Sequence, residues 1–254
     1  MENNESQYGQ MNFNLPHDVV PLPSQGLFYK NKKKSIKVGY LTAQDENLLM
    51  SNNLQGSDLI TQLIRTKIYE PDIRIDDMLT GDIEAVLIFL RNTAFGTKYQ
   101  VSAIDPKTNQ RFDVTLDLGE LNIKNIKNTP DSNGLFTLTL PMTNDTVQYK
   151  LLTYGEDAQI DKELDRYPNG VIKPVITRKL EKQIVSVNGS NDVSTIAKFV
   201  TEMPIADSKY LRRTIAESEP RLDLKKEVQT PTGDIIDVFI NFGVEFFRPF
   251  FSIQ

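Results

Sequence analysis

His17 is the sole histidine in the sequence, and there is no cysteine. The missing cysteines exclude a thiolate nucleophile, a disulfide and a cysteine zinc site. His17 stands beside Pro16 in a polar stretch, where an imidazole reads as a solvated bystander rather than a base or ligand. No Ser-His-Asp or Cys-His set can be built around it. The candidate acid and base residues are therefore the carboxylate pairs Asp45 with Glu46, Asp76 with Asp77, and Glu217 with Glu219. Side chains so close along a helix or strand point apart, so none of these pairs is spaced to grip one substrate from two sides. They read as caps and solvated faces. Gly26, Gly39, Gly56 and Gly96 are isolated, and neither a phosphate-cradling loop nor a calcium-loop pattern is present. The basic clusters Lys30 to Lys34 and Arg212-Arg213 lack interleaved aromatics on a common face, which argues against nucleic acid. The expectation is a non-enzymatic protein with no catalytic residue, no cofactor, no metal and no small-molecule substrate.

Composition points the same way. The 254 residues are 39% apolar with a net charge of −5 and a pI of about 5.1, so neither free DNA nor an anionic membrane surface is an expected partner. The first ten residues, MENNESQYGQ, show neither a basic nor an apolar leader region, and no apolar run approaches the ~20 residues that span a bilayer. The expectation is a soluble protein folded in the cytoplasm.

Residues 1–18, rich in Asn, Gln and Glu, read as a flexible arm unable to bury enough surface to order itself alone. Two prolines make Val19 to Tyr29 extended, with a turn at Gly26, and Lys30 to Lys34 forms a charged hairpin tip before a strand at Ile36, Val38 and Tyr40. Thr42 and Asp45 have capping-box spacing for a short helix, and Ser57 opens a second with Leu59, Ile60, Leu63, Ile64 and Ile68 as its stripe. Asp82 and Gly96 bracket a helix that is apolar almost all round, and such a helix belongs at the centre of a core. Alternating runs from Tyr99 and from Phe112 then predict a hairpin over 98–118. Runs at 135–140 and 146–153 are expected to extend that hairpin's sheet.

Helices are predicted from Gly155 to Tyr167, through Val175, Ile176, Leu180 and Ile184, and from Val193 to Val200. Asp207 is expected to cap one more helix, stopped by Pro220, before a hairpin over 221–242 with Ile236, Val238, Ile240 and Phe242 alternating along its second arm. The fold class is α+β, helices packed with antiparallel β-hairpins, in two loosely similar helix-then-ribbon halves. The expected division is an arm at 1–18, an α+β region at 19–153 and another at 154–254.

The phenylalanines Phe246, Phe247, Phe250 and Phe251 either close a core or offer a docking patch. With Leu22, Leu27, Phe28 and Tyr29 of the Pro-rich segment they are the candidate partner-binding residues.

Val20 to Tyr29, Tyr40 to Glu46, Leu79-Thr80-Gly81-Asp82, Gln183 to Gly189, Met203 to Ser208 and Gly243 to Pro249 occur in the order found in the T-even phage baseplate family. The chain resembles that family over most of its length after the arm, Asn122 to Tyr149 excepted. The resemblance implies a component or assembly factor of the central hub of a contractile-tail baseplate, with other baseplate or hub proteins as partners and several copies per particle. The alternative it leaves open is a hub-assembly chaperone absent from the mature virion; a hydrolase or a degenerate zinc-ribbon nucleic-acid binder stands further off. The resemblance also implies Cys-Pro-x-Cys knuckles at the ribbon tips. Asp105-Pro106-Lys107-Thr108-Asn109 and Thr230-Pro231-Thr232-Gly233 stand at those places with the prolines kept and the cysteines gone. Aspartate and threonine replace thiolates poorly around zinc, so tips held by ordinary turn hydrogen bonds are expected.

Overall fold

The computed structural model describes residues 16–50, 57–124, 126–242 and 244–247. Their order is two strands, three helices, two ribbons, two helices, a strand, two helices and a last ribbon, an α+β arrangement. Strands β1 (His17–Pro21) and β2 (Ser35–Gly39) pair antiparallel, so His17 and Asp18, expected in the arm, lie in a strand. Helices α1 (Ala43–Met50), α2 (Ser57–Lys67) and α3 (Thr80–Phe95) follow, then the ribbon β3 (Lys98–Ile104) with β4 (Arg111–Asp117). β5 (Phe136–Thr139) and β6 (Thr146–Tyr149) do not extend that ribbon. They form a separate three-stranded sheet with β7 (Ile184–Val187), which lies beyond α4 (Tyr154–Asp165) and α5 (Val175–Gln183). Helices α6 (Val193–Glu202) and α7 (Ile205–Ser218) lead to the final ribbon, β8 (Lys225–Gln229) with β9 (Ile235–Phe239).

Local chemistry accounts for the boundaries. Thr42 and Asp45 close the start of α1 as their spacing predicts, the Asp45 carboxylate accepting the Thr42 N–H at 2.7 Å. α3 ends where Gly96 turns with φ +79. The start of α4 is a capping box between Thr153 and Glu156. In α3, ten residues from Gly81 to Arg91 are buried, as a helix apolar on nearly every face requires.

Two apolar clusters result. The first gathers the β1–β2 ribbon, α2, α3, both long ribbons, Phe246 and Phe247. The second gathers β5, β6 and β7 with α5, α6 and α7. The first cluster draws on both sides of the boundary expected at 153/154, because Val228 of β8, Val238 of β9 and Ile240 join the cluster that contains α3. Ile236, Val238 and Ile240 face that core, as their alternation predicts.

The connection from α7 to β8 passes so close to α3 that a Cβ on Gly81 would lie 2.1 Å from the Pro220 carbonyl oxygen. A backbone atom cannot swing aside as a side-chain end can. Gly81→Ala is expected to lower stability by about 1–3 kcal/mol, read as a reduced urea midpoint; an unchanged midpoint would show that the linker is free to move.

Candidate partner-binding surfaces

The Pro-rich segment between β1 and β2 is fastened to the start of α3 by Asp82. This residue lies in the helix's first turn, three positions past the capping residue Leu79, which carries no side-chain bond. The Asp82 side chain instead turns outward to the loop. Its Oδ1 accepts the Ser24 N–H at 2.9 Å and its Oδ2 accepts the Tyr29 hydroxyl. That hydroxyl accepts in turn from the Leu79 N–H at 3.0 Å, satisfying one of the helix's first donors. Burial pushes the Tyr29 hydroxyl well above the usual tyrosine range, and the adjacent Asp82 charge adds to the shift. Burial also raises the Asp82 pKa, against the hydrogen bonds from Ser24 and Tyr29.

The same segment reaches both cores. Leu22 is fully buried in the first, while Phe28 stacks on Phe136 at 6.0 Å, which stacks on Tyr149 at 5.1 Å in the second. Leu22 has no surface to give a partner, and neither do Phe246 and Phe247. Those two rings close the first core, each edge-on to an aromatic neighbour. For Leu22, Phe246 and Phe247 the docking expectation is therefore corrected to core packing. Tyr29 serves the loop clamp, and Leu27, 45% exposed, faces outward. Phe250 and Phe251 lie outside the described residues.

The two ribbon tips meet each other. Asp105 Oδ1 accepts the Lys107 N–H at 2.8 Å within its own turn, while Oδ2 accepts the Thr232 N–H at 3.2 Å and the Thr232 hydroxyl at 2.8 Å across the gap. Lys107 bridges to Asp234 at 2.8 Å alongside. The tips are thus held by turn hydrogen bonds and also by one aspartate shared between them. Burial opposes ionisation of Asp105, but bonds from the Thr232 hydroxyl and three backbone N–H groups outweigh it and hold the pKa below the usual carboxylate range.

The carboxylate pairs separate as their spacing predicts. Asp45 pairs with Lys67 inside the protein, Asp76 with Arg65 at 3.2 Å, and Glu217 with Lys127 at 3.0 Å. The densest charged cluster was not visible from spacing. Glu84 on α3 is buried and paired with Arg221, which also faces Glu219 at 3.6 Å. Burial raises the pKa of both glutamates, the Arg221 charge opposing it. A glutamate on an otherwise apolar helix was the available signal for a buried pair. His17 lies edge-on to Tyr69 at 5.9 Å. Among the described residues no three His, Asp or Glu side chains are grouped to hold a metal ion, and no helix is long and apolar enough to cross a membrane.

Fold and charge placement define an α+β protein in which charged groups link elements to one another and many apolar side chains remain outside. The family model for the T4 bacteriophage base plate protein matches residues 26–248, and the chain belongs to that family. It is thereby a bacteriophage tail protein of the baseplate, with other tail proteins as partners. No curated protein and no solved structure matches the chain.

Two expectations follow from the clamps. Tyr29→Phe removes a donor to Asp82 and an acceptor for the Leu79 N–H, and is expected to cost about 1–3 kcal/mol; an unchanged thermal midpoint would show the hydroxyl to be dispensable. Asp105 has a lowered pKa in the folded chain, so its contribution is present above the ordinary carboxylate pKa and is lost as pH falls through the lower folded value. The melting-temperature gap between the wild type and Asp105→Asn should therefore be widest near neutrality and shrink below about pH 4. A gap that ignores pH would refute the ionised latch.

Proposed function

We propose that this protein is a non-enzymatic component of the central baseplate hub of a contractile tail, acting there and in hub assembly through protein–protein contacts. The family match over residues 26–248 carries this reading. The disposition of charge supports it: the buried carboxylates Asp45, Asp82, Glu84 and Asp105 are each engaged by a partner within the chain. Contacts with neighbouring tail proteins then fall to the N-terminal arm and to outward apolar side chains such as Leu27, with Phe250 and Phe251 as further contacts. An arm that orders only on its neighbour carries an entropic cost at binding, which apolar side chains at the contact must offset. The protein folds in the host cytoplasm and takes its place in the virion in several copies.

Quantitative mass spectrometry of purified particles beside an infected-cell lysate tests this. A fixed copy number per particle is expected. Abundance in the lysate with none in particles would instead make the chain an assembly factor that departs.

A further inference from the structure

The last ribbon ends in an open strand edge. The chain leading into β8 is held on one side by the segment that follows β4: the Asp223 N–H donates to the Asn122 carbonyl and the Lys124 N–H to the Arg221 carbonyl, each at 2.8 Å, with Leu222 bridged to Ile123. β9 lies on the other side and pairs with β8 alone, in a two-stranded sheet. The ladder fixes which of its backbone groups face outward. Thr230 donates its N–H to the Asp234 carbonyl at 2.7 Å and Ile240 donates to the Leu224 carbonyl at 3.0 Å. Even positions of the second arm therefore turn toward β8, and Ile235, Asp237 and Phe239 turn their N–H and C=O groups away from it.

The side chains at those three positions also stand on the ribbon's exposed face. Ile235 is 70% exposed, and Phe239, at 59%, is the one exposed phenylalanine among the described residues. Two other edges are guarded. The odd positions of β1 face away from β2, and Pro21 among them has no N–H to offer. β3 sets Lys98, Gln100 and Ser102 outward.

Charge selects the occupant of the β9 edge. Asp237 lies between Ile235 and Phe239 and directly opposite Glu227 of β8, and the single cation beside them is Lys225, which bridges to Asp237 at 2.8 Å. Like charges opposed across a ribbon are unfavourable, and a cation brought from outside relieves them. A second copy of β9 paired antiparallel about Asp237 would instead set that carboxylate against its own counterpart. The edge therefore suits an extended segment with a lysine or arginine at its centre, to face Asp237, and an apolar side chain two residues to either side, to face Ile235 and Phe239.

We propose that β9 is the docking edge for such a basic, extended segment of a neighbouring protein, which adds a third strand to the β8–β9 ribbon. This rests on the reading that the chain acts through protein–protein contacts, a reading that particle composition tests without reference to β9.

The test is fluorescence anisotropy of a fluorescein-labelled peptide, Thr-Val-Thr-Lys-Thr-Val-Thr, titrated with the full-length chain, beside the same peptide with glutamate at its centre. The lysine peptide is expected to bind about fivefold more tightly, the spread between an attractive and a repulsive cross-strand pair. Asp237→Lys should reverse that preference, and Phe239→Ala should weaken the lysine peptide about tenfold. Both side chains are exposed, so circular dichroism should stay unchanged. Methylation of the peptide's two valine nitrogens keeps every side chain but removes strand donors, and should abolish binding. No binding by either peptide, equal binding by both, a preference that survives Asp237→Lys, or undiminished binding of the methylated peptide would overturn the proposal. So would a Phe239-dependent dimer of the free chain in sedimentation, because the edge would then belong to a second copy.

Discussion

A single buried carboxylate, that of Asp82, holds the first half of this molecule together. It sits with no solvent exposure at the start of the most buried helix, where the helix's own unpaired N–H groups favour negative charge. That placement alone would not offset the loss of water, and the raised pKa reflects this. The remaining stabilisation comes from the loop, through the Ser24 N–H and the Tyr29 hydroxyl. Once the loop is fixed at those two points, Leu22 must enter one core and Phe28 must stack at the edge of the other. The loop thus joins two apolar clusters through a polar anchor.

The second half repeats the device with different residues. Asp207 lies in the first turn of α7, three positions past Pro204, as Asp82 lies three past Leu79. It too is fully buried, and it accepts the Met142 and Thr143 N–H groups of a neighbouring loop at 2.9 and 3.1 Å. In both halves a helix with an outward-turned aspartate in its first turn precedes a two-stranded ribbon, and the ribbons touch at Asp105 and Thr232. The buried surfaces are shared rather than divided between the halves, since Val228, Val238, Ile240, Phe246 and Phe247 belong to the same cluster as α3.

The elements themselves were legible wherever one periodicity dominated. The apolar run from Ile83 to Leu90 has one stable solution, a central helix, and the alternation of Ile236, Val238 and Ile240 gives one face to a core. The strand at Ile184 to Val187 was hidden because Ile184 continues the helical spacing of Leu180, and only pairing with β6 converts that stretch to a strand. The purposes of Asp82 and Asp207 were obscured for a related reason. An aspartate near a helix start reads as a cap, and what distinguishes a cap from a clamp is the position of a loop some 60 residues away in sequence.

Leu22, Phe246 and Phe247 show why sequence placed docking residues less well than elements. Proline-bounded loops and aromatic clusters have the same composition whether they meet a neighbouring protein or their own chain, so exposure alone separates the cases. Phe246 is committed further by Arg91, a buried cation that pairs with no carboxylate among the described residues. Its guanidinium donates to the Gly96 and Lys98 carbonyls at 2.7 and 3.2 Å, groups near the negative end of α3, and lies 5.0 Å from the Tyr99 ring and 5.6 Å from the Phe246 ring. Desolvation lowers the Arg91 pKa, yet the charge is retained because carbonyl dipoles and ring faces stand in for water. Removing Phe246 would expose one side of that cation's cage as well as leave a cavity. The aromatic end of the chain is therefore tied to the end of α3 much as the Pro-rich loop is tied to its beginning, and the helix is fixed at both ends by residues distant in sequence.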